Sequence, residues 1–152
     1  MSYKVPMKVS EIHLTYKSKV KAKDRPQIMS ARDAYWVLES NWSDQIGLVE
    51  EFNILLLDRA NRVMGFCPIS KGGVSGTVVD LKIVFAAALK ARASSIIMAH
   101  NHPSGNTLPS QQDIDLTKRF EKAGKILDIQ VVDHLILSPE GGYYAFSEHS
   151  KI

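Results

Sequence analysis

The chain has 152 residues, 45% hydrophobic and 23% charged, the composition of a soluble globular protein long enough to bury a core without staples. No apolar run approaches the roughly 20 residues that a membrane span requires, and the opening Met-Ser-Tyr-Lys-Val-Pro lacks the apolar stretch of a secretory signal. The net charge is only +3, and Cys67 is the single cysteine, which excludes an internal disulfide and makes a reducing compartment, the cytoplasm, the expected location.

The charge is uneven: the first 29 residues hold seven Lys or Arg against two Asp or Glu. Ser10 to Tyr16 alternates polar and apolar side chains, the pattern of a half-buried strand. Lys17, Lys19, Lys21, Lys23 and Arg25 follow at every second position. On an extended strand they form a positive stripe that can meet nucleic-acid phosphate. The competing reading is an edge strand protected by lysines against edge-to-edge pairing, and the lack of interleaved aromatics favours it.

Ser30-Ala31-Arg32-Asp33 is a capping box opening a helix with Ala34, Val37 and Leu38, expected to end near Trp42. Glu51 to Leu57 reads as a buried strand, Asp58 to Asn61 as a turn and Arg62 to Ile69 as the returning strand of a hairpin. A flexible loop at 71–76 leads into an Ala- and Leu-rich helix from about Val79 to Ala93. Ser95 to Ala99 is a short apolar strand. Gln111 to about Leu127 is a helix with Ile114, Phe120, Ala123 and Leu127 on one side. Ile129 to Leu137 is a further strand, and Gly141-Gly142 turns the chain into Tyr143 to Phe146. This order predicts an α/β domain with a mixed sheet sandwiched by helices. Residues 1–46 form an N-terminal strand, basic segment and helix, and 47–152 the main domain.

The chemistry concentrates at residues 100–113. His100 and His102 are two apart at a strand end, so both imidazoles leave on one face, about 6.6 Å apart along the chain. Ser110-Gln-Gln-Asp113 then begins a helix whose first turn returns a carboxylate towards them. Two histidines and one carboxylate make a three-ligand zinc site with a free fourth position, the arrangement of catalytic rather than structural zinc. Each part also has a plain reading. Ser110-x-x-Asp113 is by itself a capping box, a histidine at a strand end is commonly a rim residue, and Pro103, Ser104 and Gly105 are turn formers. A nucleic-acid deaminase is disfavoured, since that chemistry uses H-x-E with P-C-x-x-C and this chain has His102 at the third position and one cysteine. Cys67, between Phe66 and Pro68, reads as a buried inert thiol.

His100-x-His102 followed by Ser110-x-x-Asp113 resembles the JAMM motif of the JAB/MPN metallopeptidase-like fold, of cytidine-deaminase-like architecture. The longer string His100-Asn101-His102-Pro103-Ser104-Gly105, with Pro109-Ser110 and Asp133-His134, is similar to the RadC branch, historically called DNA repair proteins. The likeness runs from roughly Gly47 to Ser147. Many members carry Pro-Arg-Glu before the helix preceding the motif, where this chain has Leu81-Lys82-Ile83. The helix-hairpin-helix of longer members has no counterpart in the first 46 residues.

The resemblance implies a zinc-dependent metallopeptidase or isopeptidase-like hydrolase acting on a protein or peptide. Zinc lowers the pKa of bound water from about 15.7 to near 7, and a carboxylate base accepts its proton. Glu51 matches the family's catalytic glutamate, with Glu50 the rival on the opposite face. Ser110 caps the helix and, by the resemblance, donates to an oxyanion. Asp133-His134 is read as structural, with a link to a ligating histidine the alternative. The competing function is a non-catalytic binding module in DNA repair, recombination or mobile-element processing, which the basic stripe would serve.

Overall fold

The computed structural model describes residues 7–73 and 76–152; residues 1–6, and Val74 and Ser75 of the expected 71–76 loop, lie outside the described residues. The elements run α1 (Ala31–Asn41), β1 (Glu51–Leu57), β2 (Val63–Lys71), α2 (Leu81–Lys90), β3 (Ser95–Asn101), α3 (Gln111–Ile126), β4 (Gln130–Leu137) and β5 (Tyr143–Ala145). The five strands form one sheet in the order β2-β1-β3-β4-β5. Only the β3–β4 pair is parallel, and α3 supplies its crossover. The fold is thus the α/β architecture expected, a mixed sheet between helices.

Strand periodicity explains the layering. β1 and β3 are buried along their whole length because both faces are covered. Phe52, Ile54 and Leu56 alternate with Leu55 and Leu57 across β1. The first set joins Ile96 and Met98 of β3 beneath Val84, Phe85 and Ala88 of α2 and Phe120 of α3. The second set joins Ile97, Ala99, Leu135 and Leu137 beneath Ala34, Tyr35 and Leu38 of α1. One face of the sheet therefore carries α2 and α3, and the other carries α1. The register of β3 with β4 slips by one residue between Ile96↔Val131 and Ile97↔Asp133, so Val131 and His134, three apart, both face α3.

The helix starts follow their capping residues. Ser30 accepts from the Asp33 amide, and Asp80 accepts from Lys82 to start α2 two residues later than expected. The N-terminal expectations need correction. No strand forms at Ser10 to Tyr16: the segment pairs with none of the described strands, and Ile12 and Leu14 are 79% and 83% exposed. Alternation without a partner strand does not bury anything. Nor is Lys17 to Arg25 a strand, since a 3₁₀ turn occupies Ala22–Asp24. Lys17, Lys19, Lys21 and Lys23 are exposed, but Arg25 turns inward and pairs with Asp58 at 3.0 Å.

Gly124 allows α3 to run close against β4. A Cβ there would stand 2.3 Å from the Ile129 carbonyl oxygen, while the Gly124 carbonyl accepts from the Ile129 amide at 2.8 Å. Both partners are backbone and cannot swing aside. Gly124→Ala is expected to cost about 1–3 kcal/mol, read as a lower urea midpoint with an unchanged slope. An unchanged midpoint would mean that the α3–β4 contact is slack.

Candidate metal centre

Three elements converge on one end of the sheet. His100 lies on β3, opposite Phe52 of β1, and so on the α2/α3 face. His102 follows just beyond the strand, its amide bonded to the Leu137 carbonyl at 3.1 Å, so the β3–β4 ladder extends to it. Ser110 caps α3 with a reciprocal box: its hydroxyl accepts from the Asp113 amide at 3.1 Å and its amide donates to Asp113 Oδ2 at 2.8 Å. The box turns the Asp113 carboxylate back towards the histidines. His100 Nε2 lies 3.2 Å from Asp113 Oδ1, His102 Nε2 lies 3.4 Å from Asp113 Oδ2, and the two Nε2 atoms are 3.0 Å apart.

That triangle suits a metal ion. Ligands about 2.0–2.1 Å from a tetrahedral zinc stand roughly 3.3–3.4 Å from one another, close to the separations seen. The protonation pattern agrees. His102 Nδ1 is 2.6 Å from the Asn106 carbonyl oxygen, which can only accept, so Nδ1 carries the proton and neutral His102 presents an Nε2 lone pair to the site. The hydrogen bond to Asp113 raises the His102 pKa against the opposing effect of burial. Burial would raise Asp113, but contacts with His100 and His102 and the Ser110 amide hold it well below the usual carboxylate range. The site thus keeps a negative charge facing two ring nitrogens, an environment that a cation would relieve.

The two glutamates separate by strand parity. Glu51 is buried on the α1 face with Asn53; its carboxylate accepts from Ser43 Oγ and lies 3.8 Å from Lys71 Nζ. It lines a cleft of about 380 Å³ with Phe66 and Ile69, on the opposite side of the sheet from the histidines. Glu51 is therefore not brought to the site, contrary to the expectation. Its neighbour Glu50 is: one Glu50 carboxylate oxygen and one ring nitrogen each of His100 and His102 lie within 4.8 Å of one another. Glu50 sits just before β1, held by Gly72 N–H donating to its carbonyl at 2.8 Å. Glu50, Thr77, Ser110, Gln112 and Leu116 line a cavity of about 290 Å³ in front of the His–His–Asp cluster. Ser110 spends its hydroxyl oxygen on the Asp113 amide, and none of the described residues accepts its hydroxyl proton, which can therefore be donated into the cavity.

Sequence reasoning underrated three residues. Asn101, between the histidines, is fully buried on the α1 side. Its Oδ1 accepts from the Glu51 amide at 2.7 Å, and its Nδ2 donates to the Ile46 and Val49 carbonyls at 2.7 and 2.9 Å, which fixes the segment carrying Glu50. His134 reaches His100 at 2.7 Å, and Thr117 reaches His134 at 2.6 Å. Thr117 lies one helical turn after Asp113, the single hint that the sequence offered. Asp133 is structural, holding the Ser147 amide and hydroxyl at the start of the last 3₁₀ turn. Cys67 is half-buried, and burial pushes its thiol pKa up, as expected of an unreactive thiol.

A sheet end that gathers two histidines, a capping-box aspartate and an acidic neighbour has the pattern expected of a JAB-type domain, and the comparisons show that family. A family model described as RadC-like JAB domain matches residues 28–151, and the chain belongs to that family. A UPF0758 protein of Flavobacterium johnsoniae is 42% identical over 122 residues, 79% of this chain and 51% of the relative. One of Porphyromonas gingivalis is 39% identical over 128 residues, 84% of this chain and 56% of the relative. One of Finegoldia magna is 49% identical over 90 residues, 59% of this chain and 40% of the relative. The chain spans about half the length of these relatives. Among the described residues no helix is long and apolar enough to cross a membrane.

Asn101→Ala should remove three hydrogen bonds of a buried side chain and leave their backbone partners without it. At about 0.5–1.5 kcal/mol for each bond, the expected loss is about 1.5–4.5 kcal/mol in urea unfolding. A loss under half a kcal/mol would show that the Ile46–Glu51 segment is held by other contacts.

Proposed function

We propose that the chain is a metal-dependent hydrolase of amide or isopeptide bonds in a protein or peptide, with zinc held by His100, His102 and Asp113. The observation that carries this reading is the convergence of two imidazole nitrogens and a carboxylate at 3.0–3.4 Å on the wall of an open cavity, with a second carboxylate beside them. Three protein ligands and an accessible fourth side are what catalytic zinc requires. When bound, the metal supplies a water acidic enough to attack at neutral pH and polarises the substrate carbonyl.

The side chains of this chain take the remaining roles. Glu50 stands near the histidines and faces the cavity, so its carboxylate accepts the proton of the attacking water and returns it to the leaving amine. The base role thereby moves from Glu51 to Glu50. The Ser110 hydroxyl donates to the oxygen that gains charge as the carbonyl is attacked. Gln112, Leu116 and Thr77 line the remaining wall and meet the substrate. A second reading, nucleic-acid contact through Lys17, Lys19, Lys21 and Lys23, is favoured only by the exposure of those four side chains. Arg25 adds little to it, being committed to Asp58.

Metal analysis of protein purified without chelator or affinity-tag metal should find one zinc per chain, and none in the His102→Ala plus Asp113→Ala variant, with circular dichroism unchanged. Stoichiometric zinc in that variant would overturn the ligand set. On a quenched peptide library, Glu50→Gln should keep zinc and lose at least about 100-fold in kcat. Glu51→Gln should stay within a few-fold of the wild type. The reverse pattern would return the base role to Glu51.

A further inference from the structure

Histidine holds a cation through whichever ring nitrogen lacks a proton, and the partner of the other nitrogen decides which that is. For His102 that partner is a carbonyl, and the answer is immediate. His100 differs: its Nδ1 faces another imidazole, Nε2 of His134, at 2.7 Å, and either ring could be the donor. The ambiguity is resolved on the other side of the His134 ring. Thr117 Oγ1 donates its only hydroxyl proton to the Asp113 carbonyl oxygen at 2.7 Å. Towards His134 Nδ1, 2.6 Å away, the same oxygen can therefore only accept, so His134 Nδ1 carries a proton.

His134 holds no second proton. It is fully buried, stacked on Phe146 at 4.7 Å between ring centroids and flanked edge-on by Phe52 at 5.9 Å. A second proton would place a charge in that apolar shell with no carboxylate among the described residues paired to it. The neutral ring with its proton on Nδ1 offers a bare Nε2, which accepts from His100 Nδ1. His100 Nε2 is then left without a proton, facing His102 and Asp113.

We infer that His134 and Thr117 are positioning residues that set the tautomer of His100, and that they form a chain of hydrogen bonds joining a ligand on β3 to the backbone of a ligand on α3. The chain of bonds runs from His100 Nδ1 to His134 Nε2, from His134 Nδ1 to the Thr117 hydroxyl oxygen, and from that hydroxyl to the Asp113 carbonyl oxygen. Its members come from β3, β4 and α3, so the spacing of the two ligands is tied to the packing of α3 on the sheet. The apolar wall of Phe52, Phe120 and Phe146 keeps out water that could replace the missing partner. The register slip of β4 turns His134 onto this face. The inference rests on the metal-holding reading above.

The test is long-range proton–nitrogen NMR on histidine-labelled full-length protein, metal-free and zinc-loaded, together with zinc affinity by competition against a chromophoric chelator. His134 should show Nδ1 protonated and Nε2 bare in both states. Thr117→Val, which keeps the shape and loses the hydroxyl, should bind zinc about 10–100-fold more weakly, and Thr117→Ser should recover the wild-type affinity. A His134 proton on Nε2 would overturn the inference, as would a folded Thr117→Val protein that binds zinc as tightly as the wild type. If Thr117→Val does not fold, the wild-type nitrogen signals decide alone. Failure of the metal reading shows separately, as a wild-type protein that takes up no zinc, because the tautomer of His134 is read on the metal-free protein.

Discussion

Three electron-pair donors aimed at one point are the constraint around which the rest of this molecule is arranged. His100 Nε2, His102 Nε2 and the Asp113 carboxylate stand 3.0–3.4 Å apart. With nothing positive between them such groups repel, and a chain free to rotate them apart would do so. They stay together because each is held from behind. Asp113 is held by the reciprocal box with Ser110, His102 by the Leu137 and Asn106 carbonyls, and His100 by its place in the most buried strand of the sheet. The hydrophobic core thus does more than stabilise the fold: it keeps an electrostatically unfavourable cluster in place.

The sheet also divides the chemistry between two faces. Successive residues of a strand point in opposite directions, and at the start of β1 this sends Glu50 towards the histidines and Glu51 towards α1. Asn101 does the complementary task from β3. Lying between the two histidines, it points away from them and fastens the Ile46–Glu51 backbone on the far side of the sheet. The middle residue of the motif therefore places the acid that its two neighbours face. Such an arrangement needs central strands buried on both sides, which is why α1 is part of the matched family region rather than an appendage.

Much of this was legible in the sequence where local rules act alone. The capping boxes at Ser30 and Ser110 marked two helix starts, the apolar runs marked β1, β3 and β4, and the spacing of His100, His102 and Asp113 marked the cluster. What was not legible depended on partners distant in the chain. Ser10 to Tyr16 alternates like a strand but has no neighbour to pair with. Periodicity shows that Glu50 and Glu51 face opposite ways, but not which face holds the histidines; the pairing of Phe52 with His100 decides that. His134 was obscured by the register slip after Ile96, which breaks the simple alternation along β4. Thr117 was hidden because a threonine within a helix has an ordinary reading, a hydroxyl bonded to the carbonyl four residues back, and only the fold shows the imidazole on its other side.

The central claim is that the fold holds this cluster ready for zinc, and the most direct measurement is the free energy of unfolding in chelator and at a zinc concentration about 100 times the dissociation constant. An ion that binds only the folded chain should add about 2.7 kcal/mol at that concentration, and none in a His100→Ala variant. Equal stability of the wild type with and without zinc, or the same gain in His100→Ala, would contradict it.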